Sequence, residues 1–206
     1  IMQSGWALGY LLAAVSGALI LGVPAFGNEG WRVLFLVGVI PAFFTLWIRR
    51  YVKEPEAWTH RRRSPRGKNP FAEIFGPTLI RRTLLIILIG ASVQFANWGV
   101  FFWLPAFLAR PIEQGGAGMG IVSSLWWLVP VQIGAYIGYL TFGFIADLIG
   151  RRQAFVLYML AAAIVVPIYG QMTGNATMLL VLGPLVGYFG YGYFSMFGGL
   201  VAGLYP

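Results

Sequence analysis

The stretch Gly143-Phe144-Ile145-Ala146-Asp147-Leu148-Ile149-Gly150-Arg151-Arg152 sets one carboxylate and two guanidinium groups between glycines, with long apolar runs on either side. These residue types at this spacing suit switchable electrostatics rather than bond making. The spacing predicts a short loop in which Gly150 permits a tight turn, while Asp147 pairs with the bases or caps a neighbouring helix end. Contacts of that kind can exist in one conformation and break in another. That would give Gly143, Asp147, Gly150, Arg151 and Arg152 a role in conformational gating. A plain charged turn held at a membrane surface is the other reading of the same residues.

Polar side chains also recur at helical spacing inside the apolar runs. Gln94 and Asn97 stand three apart, Ser124, Gln132 and Tyr136 follow multiples of four, and Tyr188, Tyr191 and Ser195 form a third set. Each set is predicted to occupy one helix face. An amide in hydrocarbon without a partner is costly, so these groups should face a cavity or another helix. They are the candidate substrate path. For Gln94, Asn97 and Gln132 a second reading stands beside it, interhelical hydrogen bonding with no ligand, at about 0.6 kcal/mol per bond. The tyrosines, Trp98, Trp126 and Trp127 read first as packing or as an interfacial belt.

Groups that make or break bonds are scarce. There is no cysteine, which excludes disulfides and thiolate metal sites, and the one histidine, His60, sits among cations. A membrane enzyme acting on lipids or isoprenoid phosphates would want a His/Asp cluster, a metal-binding acidic motif or an activated nucleophile, and neither His60 nor Asp147 has such company. No filter loop or charged ring suggests a channel. The reading is therefore not an enzyme, with no cofactor and no metal.

The elements that position these residues follow from composition. With 59% hydrophobic and 10% charged residues and a mean hydropathy of +0.77, the chain has too little polar surface to cover a soluble globule. An all-α membrane protein with six transmembrane helices is predicted, over residues 2–26, 31–51, 79–109, 119–145, 154–169 and 177–204. Residues 27–30 make a polar turn between antiparallel neighbours, and the fifth span is the shortest and is interrupted by Pro167. The chain starts at Ile1 and is apolar within a few residues, so it reads as an excised fragment.

Basic residues fix the orientation. Arg49, Arg50, Lys53, Arg61, Arg62, Arg63, Arg66, Lys68, Arg81 and Arg82 cluster around the second connection, and Arg151 and Arg152 follow the fourth span, so those ends are expected in the cytoplasm. The net charge of +8 and pI near 10.1 thus reflect topology, and no nucleic-acid partner is expected. The run 61–68 is a topogenic linker that could also lie on anionic headgroups.

The 143–152 pattern resembles the cytoplasmic loop signature of the major facilitator superfamily. Gln3-Ser4-Gly5-Trp6-Ala7-Leu8-Gly9-Tyr10 is similar to its fifth helix, Gly30-Trp31-Arg32-Val33-Leu34-Phe35 to the entry of its sixth, and Lys53-Glu54-Pro55-Glu56-Ala57-Trp58 to the signature closing the sixth. The resemblance implies a partial fold, helices five to ten of twelve. Residues 1–52 would be the last two helices of the N-terminal half, 53–78 a basic cytoplasmic linker, and 79–206 the first four helices of the C-terminal half. Trp31 to Phe35, Ile40-Pro41-Ala42 and Trp103-Leu104-Pro105 suggest the metabolite:proton symporters of sialate, lactate and aromatic acids. One departure is Gly203, where those proteins commonly carry an acid, and the exporter kink of the fifth helix is missing, since Gly5 and Gly9 are followed by Tyr10-Leu11-Leu12. The resemblance implies a secondary active transporter working by alternating access in the inner membrane. It would take up a small organic anion or carboxylate with protons, as a monomer in the lipid bilayer when full length. A sugar or other metabolite transporter is the alternative. No ionisable residue lies mid-span, so the proton carrier is expected in the missing helices.

Overall fold

The computed structural model describes residues 3–52 and 70–203, and the described chain is helical from end to end. Six helices are long and apolar enough to cross a bilayer. They are α1 (Ser4–Leu21), α2 (Gly30–Tyr51), α4 (Ile80–Ala109), α5 (Ile121–Ile149), α6 (Arg151–Gln171) and α7 (Ala176–Gly192), whose span continues to Gly199. A short helix α3 (Pro70–Ile74) precedes α4, and α7 runs on through a 3-10 turn (Tyr193–Met196) into α8 (Phe197–Ala202). Most of the expected linker, 53–69, lies outside the described residues, as do Met2 and the last three residues of the chain.

Helices form because a backbone in hydrocarbon must satisfy its own hydrogen bonds, and they stop where a residue offers another solution. The α1–α2 connection is a 3-10 turn over Pro24–Glu29, reversed at Gly27 with φ +47°, and Glu29 pairs with Arg32 at 2.8 Å. Between α4 and α5 the Ala117, Gly118 and Met119 amides donate back to the Phe107, Arg110 and Leu108 carbonyls at 2.8 to 3.0 Å. Asn175 caps α7, its Oδ1 accepting from the Met178 amide at 3.1 Å. The Thr83 hydroxyl donates to the Ile74 carbonyl at 2.7 Å and ties α3 to α4.

Two expectations are corrected. Pro167 does not interrupt its span: α6 carries it inside a regular 21-residue helix, longer than the expected 154–169. Proline removes one N–H and leaves the other bonds of the helix in place, and α2, α4, α5 and α7 likewise run through Pro41, Pro105, Pro130 and Pro184. The stretch 143–152 is not a loop. Helix α5 continues to Ile149, α6 begins at Arg151, and Gly150 alone joins them.

Packing centres on α5, which lies against α7 most extensively and then against α1. The α5–α7 crossing is backbone on backbone. A Cβ on Gly134 would overlap the Pro184 carbonyl, one on Gly187 would overlap the Val131 carbonyl, and one on Gly138 would come within 2.6 Å of the Tyr188 carbonyl. Without a hydrophobic force between helices in lipid, such close approach is what dispersion needs. Every buried residue of α1 is small, namely Ser4, Ala7, Ala14, Gly17 and Ala18, and Gly17 faces the Leu125 side chain of α5. By contrast Gly5 and Gly9 meet no neighbour among the described residues. The outward surface is apolar, with Phe35, Leu36, Phe95 and Leu148 all exposed, as a surface solvated by lipid tails must be.

Candidate functional site

At the α5–α6 joint, Gly150 adopts φ +93° and ψ 141°, a region that only glycine enters at low cost. Its amide bonds the Ala146 carbonyl and its carbonyl accepts from the Ala154 amide, both at 3.0 Å, so one residue closes the first helix and opens the second. Asp147 therefore sits in the last turn of α5, and Arg151 and Arg152 in the first turn of α6. Each charge opposes the dipole of its own helix, the acid at a negative end and the bases at a positive one. Asp147 makes no ion pair among the described residues, so of its two expected uses the pairing with the bases is not made in this arrangement. Local helix stability does not account for these charges at these positions. Asp147 and Arg151 instead line a cavity of about 380 Å³ with Tyr139, Phe142, Ser195 and Gly199, between the end of α5 and the α7–α8 segment. Gly143 lines it too, in mid-helix rather than at a loop end.

The polar faces are placed as follows. Gln94 is exposed on α4, and Asn97 is half-buried with its Oδ1 sealed and unpaired among the described residues. On α5, Ser124 is buried and spends its proton on the Ile121 carbonyl at 2.7 Å, which leaves it a local helix contact. Gln132 is buried, and Tyr136 is packed against the core that α1 and α5 share. Tyr188, Tyr191 and Ser195 do not form the expected single face. Tyr188 turns toward α6, stacked on Tyr158 at 5.3 Å and accepting from the Thr141 hydroxyl at 3.0 Å. Tyr191 turns the other way, to Phe101 of α4 at 6.3 Å. Ser195 lies beyond the end of α7, its hydroxyl donating to the Gly192 carbonyl at 3.0 Å. The 3-10 turn at Tyr193–Met196 takes Ser195 off the 3.6-residue register of α7.

Sequence reasoning passed over the aromatic cluster that joins α1, α4 and α7. Phe101 is its hub, with ring centroids 4.6 Å from Tyr10, 5.9 Å from Trp6, 5.5 Å from Trp98 and 6.3 Å from Tyr191. The available signal was the i,i+4 spacing of Trp6/Tyr10 and of Asn97/Phe101, which puts each pair on one face. At the other end of the molecule from Gly150, Arg32 lies over Trp31 at 5.2 Å and Arg110 over Trp103 at 5.9 Å. Both arginines thus keep to span ends beside interfacial tryptophans, as snorkelling requires. Trp127 Nε1 donates to the Ala176 carbonyl at 3.3 Å, binding the starts of α5 and α7 together.

Six bilayer-length helices with an apolar outer surface define an integral membrane protein. Residues 2–201 match the family described as MFS/sugar transport protein, and the chain belongs to that family, the major facilitator transporters. It is similar to a protein of Cupriavidus pinatubonensis named "Probable 4-methylmuconolactone transporter", at 32% identity over 100% of this chain and 46% of the relative. A cis,cis-muconate transport protein of Acinetobacter baylyi is 27% identical over 90% of this chain and 45% of its own. A sialic acid transporter of Escherichia coli is 27% identical over 86% and 41%. The chain spans about half the length of these curated relatives. No solved structure matches it. Family and relatives are transporters, not enzymes.

Proposed function

We propose that the protein containing this chain is a secondary active transporter that takes up a small organic anion, a carboxylate, together with protons. The observation that carries the reading is the similarity, along nearly the whole chain, to relatives named for muconate, a muconolactone and sialic acid. The described spans fit it chemically. Between their ends these spans carry amides at Gln94, Asn97 and Gln132 but no charged side chain, so this part supplies hydrogen-bonding recognition. A cation for the carboxylate and an acid for the proton belong to the rest of the protein.

In this reading residues 1–52 close the N-terminal half, 53–78 link the halves, and 79–206 open the C-terminal half, the two rocking about a site near the bilayer midplane. The linker and the 147–152 turn face the cytoplasm, with the protein monomeric in the inner membrane. Arg49, Arg50, Arg81, Arg82, Arg151 and Arg152 all fall at the Gly150 end of the helices, which supports that orientation. Gly143, Asp147, Gly150, Arg151 and Arg152 set the balance between inward- and outward-facing states. Charges that gain nothing from their own helices are free to stabilise one arrangement of the neighbouring segments over another.

Proteoliposomes of the full-length protein under an imposed pH gradient test this. Uptake of monocarboxylates, muconate or sialate should collapse on adding an uncoupler. Transport that ignores the proton gradient, or that runs outward against cations, would overturn the symporter reading. A sugar or other metabolite transporter is the second reading, favoured by the neutral Gln94, Asn97 and Gln132 amides, which suit hydroxyl-rich ligands. Competition of uptake by hexoses but not by carboxylates would establish it.

A further inference from the structure

We propose that the groove between α4 and α6, at the end of the molecule away from Gly150, seats one anionic phospholipid, its phosphate on Arg110 and an acyl chain running down the groove. The seat is independent of what the protein transports. Helices α4 and α6 each lie against α5 and barely meet one another. The gap between them holds a cavity of about 230 Å³. Val100, Trp103 and Phe107 of α4 line it with Val166 and Gly170 of α6. Its floor is closed by the buried side chains of Leu104 and Tyr169, and the Phe107 and Tyr169 rings meet there with centroids 6.1 Å apart. A Cβ on Gly170 would find nothing within 4 Å, so the missing side chain helps to keep the gap open.

The lining is almost wholly carbon, the Tyr169 hydroxyl is sealed away from it, and none of Gln94, Asn97 and Gln132 takes part. A hydrated anion would lose its water there with nothing to replace it, whereas a hydrocarbon chain gains by entering. The mouth has the opposite character. Arg110, the residue that follows α4, is exposed and carries its guanidinium 5.9 Å from the Trp103 ring centroid. It makes no ion pair among the described residues, while Arg32, the other arginine at this end, is paired with Glu29 at 2.8 Å. A free cation above an apolar slot is the complement of a phosphate above an acyl chain. The depth agrees. Phe107, Trp103 and Val100 lie about 4.5, 10 and 15 Å along α4 from Arg110, and about 15 Å is half the hydrocarbon core, the reach of one leaflet. An ammonium in the headgroup would offset the phosphate charge at Arg110, so a net-negative headgroup is preferred.

Photoaffinity labelling of the full-length protein in liposomes tests the seat, with phosphatidylglycerol and phosphatidylcholine probes that each carry a diazirine midway along one acyl chain. Adducts should map to peptides holding residues 100–107 and 166–170, with the phosphatidylglycerol probe giving about fivefold the yield of the other at equal mole fraction. Arg110→Gln should abolish that preference and Arg110→Lys should restore it. Arg32→Gln, at the cation already paired, should leave it unchanged. Gly170→Leu fills the groove from a helical position with open space, and should cut the yield of both probes about tenfold while the thermal midpoint holds. Equal yields from the two probes, an equal loss in Arg110→Gln and Arg32→Gln, or undiminished labelling of Gly170→Leu would overturn the proposal. So would a lowered midpoint in Gly170→Leu with no adducts on either segment, which would mean that another helix of the full-length protein or a second copy fills the groove.

Discussion

Gly187 of α7 lies so close to the Val131 carbonyl of α5 that one added carbon would overlap it. The two helices therefore touch through their main chains. Gly187→Ala or Gly134→Ala should force them apart, at the roughly 1–3 kcal/mol typical of overpacking. Thermal unfolding of the full-length protein in detergent should show a lower midpoint for both. Gly143→Ala, at a position with open space around its Cα, should leave the midpoint unchanged.

Gly150→Ala should be worse than its size suggests. At φ +93° and ψ 141° a side chain costs about 1–3 kcal/mol in backbone strain. The variant is expected to reach the membrane but to transport slowly, because α5 and α6 lose the angle between them. Surface labelling paired with initial uptake rates checks this. Normal rates at normal abundance would contradict it.

Asp147→Asn and Arg151→Ala should lower turnover far more than equilibrium substrate affinity, since both residues line the cavity between α5 and the α7–α8 segment rather than the polar face of α4. Parallel measurements of Kd and of uptake rate distinguish the two effects. A large loss of affinity with normal cycling would move these residues into the binding site.

The sidedness of the Gly150 joint is open to a direct experiment, and residues 1–206 contribute no cysteine of their own to the labelling. Single cysteines placed at Gln153 and at Asn175 should react with impermeant reagents from opposite sides of the membrane, Gln153 from the cytoplasm. Labelling of both from one side would refute the topology.

Much of the architecture could be read from apolar run lengths alone. A stretch of some 20 apolar residues has few options in a bilayer, and five of the six spans begin within two residues of the places expected. The exception, α6, shows where the method fails. Arg151, Arg152 and Gln153 are polar, and a hydropathy reading assigns polarity to loops, whereas charges at a membrane surface fit a helix end equally well. The split of Tyr188 from Tyr191 was hidden for another reason. Which side of α7 meets α6 and which meets α4 depends on where the glycines let α5 approach, and one sequence does not display that.

The joint at Gly150 is one residue long. A residue inserted just after it, within the first turns of α6, would turn the register of that helix by about 100° and carry Tyr158 away from Tyr188 and Phe142. Length at this point acts as a ratchet tooth. Substitutions around it can be graded in their effects, but insertions and deletions cannot, and this boundary between two helices should tolerate changes of letter while refusing changes of count.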